Sequence, residues 1–205
     1  VFVILYHSGA SVINPMQSDR RQFLHMMGAT AVVGASGILV TQDAIAKDAA
    51  VTDQLPIIDT HQHLWDVTKF KLPWHTGEDT KPLQRSFLMS DYLEATKGLN
   101  VAKTVYMEVD VVPEQQVAEA DYVLDLCQRD DNPMKAAVIS GRPGTPGFEP
   151  YIRKLAQNKF IKGVRQVLHG DSTPPEFCLH PEFVEDIQLL GELGLSFDLC
   201  LRSDD

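Results

Sequence analysis

The chain has 205 residues, a formal net charge of -10, 44% hydrophobic and 22% charged residues, and three cysteines. That composition supplies a buried core and excludes collagen-like, disordered and disulfide-scaffold classes. The acidic balance argues against a general nucleic-acid binder, which needs a concentrated basic patch, and against adhesion to anionic membranes. Cys127, Cys178 and Cys200 form no C-x-x-C pair, which removes zinc-knuckle and thioredoxin-like motifs and leaves them as small apolar residues.

The chain opens with Val1, and Met16 is its first methionine. Arg20-Arg21, the Ala- and Gly-rich stretch Met26 to Val40, and Ala44-Ile45-Ala46 follow in the order of a twin-arginine export signal with an A-x-A cleavage site. The apolar stretch is too short and too rich in glycine to span a bilayer. The expectation is therefore upstream read-through over 1–15, a signal over 16–46 and the folding part over 47–205. The product would be exported, periplasmic or extracytoplasmic, and anchored if the signal is retained.

From residue 55, strand-length apolar runs alternate with helical periods. Leu55 to Asp59 reads as a strand. A helix over 91–98 has Ser90 or Asp91 as N-cap and Gly98 near its end. Lys103 to Val109 is the second strand. Pro113 opens a helix whose stripe is Val117, Ala120, Val123, Leu124 and Cys127. Ala136 to Ser140 is the third strand, 141–150 a loop, and Phe148, Ile152 and Leu155 mark the next helix. Ile161 to Leu168 is the fourth strand. Phe183, Ile187, Leu190 and Leu193 mark a helix stopped at Gly194, and Leu195 to Leu201 is the fifth strand. Alternation of this kind predicts an α/β parallel sheet, doubly wound or a (β/α)8 barrel, of which about five of the eight β-α units are present.

His61-Gln62-His63 follows the first strand. In extended backbone, residues i and i+2 share a side, so both imidazoles project together from the strand's C-terminal end, where barrel sites are built. Two imidazoles with carboxylates from other strands make an open catalytic metal site; hydrogen-bonded histidines at a strand end are the alternative. Glu108 stands near the end of the second strand, Arg165 inside the fourth and His169 at that strand's C-terminal end, and Trp65 and Trp74 flank the first β-α loop. Glu108 could instead pair with Lys103, and Arg165 with a substrate oxygen or an internal carboxylate.

The runs Ile57-Ile58-Asp59-Thr60-His61-Gln62-His63-Leu64-Trp65-Asp66, Leu72-Pro73-Trp74, Ile161-Lys162-Gly163-Val164-Arg165-Gln166-Val167-Leu168-His169 and Leu179-His180-Pro181-Glu182-Phe183 resemble the amidohydrolase-related family of the amidohydrolase superfamily. Its branch of sugar lactonases, fuconolactonase- and rhamnonolactonase-like, is the nearest. The resemblance implies a TIM barrel that hydrolyses a lactone or similar cyclic ester or amide, with one divalent metal ion, zinc foremost, or with none. It makes His61 and His63 metal ligands or donors to the substrate carbonyl, with Glu108 and His169 as further ligands. Arg165 becomes a catalytic and substrate-binding cation and Trp74 part of a substrate wall. The general base is expected on a later strand, and the 205-residue chain alone is expected to be inactive. The alternatives are a metal-dependent decarboxylase on the same scaffold and an inactive barrel remnant. The expected partner is a small molecule, with neither nucleic acid nor stable membrane insertion.

Overall fold

A computed structural model describes residues 55–169 and 173–202. The proposed read-through and twin-arginine segments lie outside the described residues. The order is β1 (Ile57–Gln62), α1 (Met89–Ala95), β2 (Val101–Met107), α2 (Gln116–Gln128), β3 (Met134–Ser140), α3 (Phe148–Leu155), β4 (Ile161–Val167), α4 (Pro181–Glu192) and β5 (Ser196–Cys200). All strand pairs are parallel, and the sheet runs β1-β2-β3-β4-β5. Spatial order thus equals chain order. A doubly wound sheet reverses direction at a switch point, whereas a barrel adds each strand to the same side. The described residues therefore form part of an α/β barrel, and the doubly wound alternative is set aside.

Several boundaries differ from those read in the sequence. β1 continues through His61 and Gln62, and β2 lies two residues earlier than Lys103 to Val109. α1 starts at Met89 behind an extended Leu88, so neither Ser90 nor Asp91 is its cap. Asp91 sits in the first turn, where its carboxylate accepts the Leu88 backbone N–H at 2.8 Å. There it satisfies a donor that the helix leaves unpaired and meets the positive end of the helix dipole.

Helix α2 is rotated from its expected stripe. Ala120, Val123, Leu124 and Cys127 are buried, but Val117 is exposed and Glu119 and Leu126 are buried in its place. α3 buries Phe148, Ile152 and Leu155, as its spacing predicted, and α4 buries Phe183, Leu189 and Leu190. Gly194, with φ 71°, turns the chain out of α4 in a conformation costly for residues with a Cβ. Among the described residues no helix is long and apolar enough to cross a membrane.

The core joins the sheet to its crossover helices. Ala137 and Ile139 of β3 and Val164 of β4 pack in one cluster with Val123 of α2, Ile152 of α3 and Leu190 of α4. By contrast, Leu55 and Ile58 at the β1 edge are 86% and 59% exposed. Cys127 is buried as expected, while Cys178 and Cys200 are only partly so.

Gly163 explains one element of the Lys162-Gly163-Val164-Arg165 run. It lies opposite Ser196 in the β4–β5 ladder, where an added Cβ would stand 2.2 Å from Ser196 Oγ and 2.8 Å from its carbonyl oxygen. A side chain there must force the two strands apart. Gly163→Ala is expected to lower stability by about 1–3 kcal/mol, as overpacking does, seen as a reduced thermal midpoint. An unchanged midpoint would show that the ladder yields freely.

Candidate active site

The site begins with an irregularity in β1. Its register against β2 passes from Asp59 opposite Thr104 to Gln62 opposite Tyr106, three steps on β1 against two on β2. The extra residue is a bulge, a feature that re-aims side chains at barrel rims. Buried Gln62 fixes the strand beyond it by accepting the Thr104 hydroxyl at 2.6 Å. On the other side, Asp59 accepts the His61 backbone N–H at 3.0 Å and the Tyr92 hydroxyl at 2.9 Å.

The two imidazoles meet as the spacing predicted. His61 Nε2 and His63 Nε2 are 3.0 Å apart, with the rings edge-on at 76°. His63 Nδ1 lies 3.0 Å from the Met107 carbonyl oxygen at the end of β2. A carbonyl only accepts, so His63 carries its proton on Nδ1 and, when neutral, offers a lone pair at Nε2. His61 must then donate from its own Nε2. Burial, followed by the Arg165 charge and by His61, holds the His63 pKa down at about 4. His61 is lowered too, by partial burial and then by Arg165, with Asp198 and Asp59 acting in the opposite sense.

Arg165 of β4 reaches across β3 towards the end of β2. Its Nη1 is 3.2 Å from the Glu108 carbonyl oxygen and 3.4 Å from Glu108 Oε1, and its Nη2 donates to Cys200 Sγ at 3.2 Å. Glu108 therefore pairs with Arg165 rather than with Lys103, and Arg165 faces an internal carboxylate. Glu108 is 0% exposed, and its other oxygen accepts the Asp110 N–H at 2.6 Å. Burial, then the nearby Glu119 charge, raises the Glu108 carboxyl above its ordinary range, and Arg165 opposes this. Asp198 of β5 stands opposite Arg165 in the ladder. Burial raises its carboxyl against the pull of Arg165 and His61.

A cavity of about 500 Å³ opens over these strand ends. Trp65, Trp74, Leu83, Val109 and Val167 supply its apolar lining. His63, Glu108, Asp110, Arg165 and His169 supply the polar part. Both indole N–H groups are spent on backbone, Trp65 on the Arg85 carbonyl at 2.6 Å and Trp74 on the Val109 carbonyl at 2.7 Å, which leaves ring surface for the cavity. His61 is not in the lining and reaches it only through His63.

The structure thus gathers His63, Glu108, Arg165, His169 and Trp74 around one cavity, with His61 bonded behind His63. It does not gather a complete metal shell. Among the described residues no group of three or more His, Cys, Asp or Glu is arranged to hold a metal ion. The Met107 carbonyl fixes the His63 tautomer as outer-shell bonds to carbonyls fix metal-bound histidines, and the His63 Nε2 lone pair accepts the His61 Nε2–H. Glu108 is engaged by Asp110 and Arg165 instead. Residues that the sequence did not single out for the site are Glu119, Asp110 and Arg142, and Cys200 entered there only as a small apolar residue.

Comparison with known proteins follows this geometry. No protein-family model matches the chain. A curated Sinorhizobium fredii protein described as uncharacterized protein y4mH is 26% identical over 162 residues, covering 72% of this chain and 54% of that protein. Among solved structures, amidohydrolase 2 from Bifidobacterium longum subsp. infantis matches with a TM-score of 0.52 and 26% identity, over 73% of this chain and 53% of its own. A Burkholderia multivorans amidohydrolase with bound zinc matches with a TM-score of 0.58 and 18% identity, over 70% and 48%. A probable 2-pyrone-4,6-dicarboxylic acid hydrolase from Acinetobacter baumannii, with citric acid bound, gives 0.50 and 15%, over 69% and 48%. The described residues share their fold with solved proteins that are named amidohydrolases. The chain spans about half the length of the proteins it matches.

The His63 assignment is testable by histidine nitrogen NMR across a pH series. A folded pKa of about 4 below an unfolded value near 6.5 means that the ring binds fewer protons in the native state. Its contribution to stability is complete above pH about 6.5 and is lost as pH falls through about 4. The expected result is an Nδ1–H neutral ring with a midpoint near 4. A midpoint near 6.5, or an Nε2–H tautomer, would contradict the geometry.

Proposed function

We propose that the protein is a hydrolase that opens a lactone or similar cyclic ester or amide at an activated carbonyl. The observation that carries this reading is the convergence of His63, backed by His61, with Arg165 on one cavity at the C-terminal ends of parallel strands. Barrel enzymes build their chemistry at those ends. A neutral imidazole pair and a fixed cation suit a reaction in which negative charge develops on a carbonyl oxygen.

The residues divide the work. Arg165 is held by Glu108 and Cys200 and needs no reorganisation to face developing charge. Trp65 and Trp74 give a flat apolar surface against which a small ring packs, leaving its polar edge towards His63, Arg165 and His169. A divalent metal, with zinc the first candidate, would take Nε2 of His63 and, once the His61 proton has left or moved to Nδ1, Nε2 of His61, together with donors beyond the pair, and would supply Lewis-acid polarisation of the carbonyl. Glu108 and His169 remain proposed donors, and the general base is proposed to lie outside the residues named here. Asp198, beside Arg165 in the ladder and within the electrostatic reach of His61, is the described carboxylate nearest that role. The site of action is proposed to be extracytoplasmic, from the Arg20-Arg21 signal pattern, with a small molecule as partner.

The test, on the full-length protein, is a panel of γ- and δ-lactones assayed with and without added zinc and after chelation, alongside His61→Ala, His63→Ala and Arg165→Met. Each substitution is expected to reduce kcat/KM by roughly 10²–10³, the loss seen when one electrostatic contact to a developing oxyanion is removed. Undiminished turnover in both histidine variants would overturn the assignment. Release of CO2 from unsaturated acids without lactone turnover would favour the decarboxylase.

A further inference from the structure

The rim of the cavity between β2 and α2 is a tight turn, Glu108-Val109-Asp110, and four side chains hold it. Asp110 has φ 52°, a left-handed conformation that a residue with a Cβ keeps only under constraint. Its N–H goes to Glu108 Oε2 at 2.6 Å, and its carboxylate accepts Arg142 Nη2 at 2.7 Å. The Val109 carbonyl accepts the Trp74 indole at 2.7 Å. The remaining group, the Val109 N–H, donates to Glu119 Oε1 at 2.9 Å.

Glu119 comes from α2, behind the turn, and does not line the cavity. It is 1% exposed, and Oε1 also accepts the Tyr106 hydroxyl from β2 at 2.9 Å. Its second oxygen has no hydrogen-bond partner. A carboxylate this deep is expensive unless its bonds are needed. Just before it, Gln115 accepts the Lys71 N–H at 2.7 Å and donates to the Lys69 carbonyl at 3.0 Å. The start of α2 is thereby tied to both the loop that carries Trp74 and the turn that carries Glu108.

We propose that Glu119 is a positioning residue for the cavity wall: by accepting the Val109 N–H it fixes the 108–110 turn, and through the Val109 carbonyl it sets the Trp74 ring. The relation holds whichever reaction the cavity serves. What matters is the acceptor oxygen rather than the charge, because both bonds use Oε1 alone.

Trp65 and Trp74 are the chain's two tryptophans, so intrinsic fluorescence reports on this wall, and a Trp65→Phe background isolates Trp74. In that background Glu119→Ala is expected to red-shift the Trp74 emission and increase its quenching by acrylamide. Glu119→Gln, which keeps an acceptor at Oε1, is expected to restore both. An unshifted Glu119→Ala spectrum, or a Glu119→Gln spectrum shifted as far as that of Glu119→Ala, overturns the proposal. Should Glu119→Ala fail to fold, amide hydrogen exchange on the wild-type chain decides. Protection of the Val109 N–H supports the proposal, and exchange at the rate of an open loop amide overturns it.

Discussion

The constraint on which the site depends is the burial of a carboxylate at the end of β2. Glu108 is fully buried, and burial penalises its charged form unless a cation stands beside it. That cation is Arg165, two strands away on β4, so its side chain must pass over β3. On β3 the residue opposite Arg165 in the ladder is the small Ser140. The pair therefore does more than cancel charge. It fixes where the ends of β2 and β4 stand relative to one another, and with them the two sides of the cavity.

Around that pair, neighbouring groups are held in defined protonation and hydrogen-bonding states. Burial, and after it Arg165, lowers both histidines, so the cation that steadies Glu108 also disfavours imidazolium at the pair. Met107, one residue before Glu108, selects the His63 tautomer. The end of β2 thus holds the His63 tautomer and the Arg165 side chain through two consecutive residues, Met107 and Glu108.

Much of the scaffold was legible because the physics behind it is local. Strands β2 to β5 announce themselves by β-branched and aromatic runs, and α3 by Phe148, Ile152 and Leu155 at helical spacing. The histidine pair was legible from the period of two in extended backbone. The bulge that turns β1 was not, since a register shift is a property of two strands and only one is read at a time. Glu119 was hidden for a related reason. An acidic residue beside an apolar stripe reads as the solvated flank, and Val117 seemed the better core member. The trace was there in Glu119, Val123 and Leu126, which recur at helical spacing and rotate the buried face past Val117. Likewise, Arg165 plainly needed a partner, but its choice of Glu108 depends on the curl of the sheet across β3.

The agreement of spatial order with chain order has a kinetic side. Every strand's neighbour is the next strand along the chain, and the segment to be closed between them is a single helical crossover. Loop-closure entropy is therefore met in several modest instalments rather than one long one. A chain made from its N-terminus can add each β-α unit to a template already standing, without waiting for distant residues to be synthesised. The Glu108–Arg165 contact marks where this accretion changes character. It spans 57 residues and cannot form until β3 and α3 are in place, so the active-site geometry comes after the sheet that carries it.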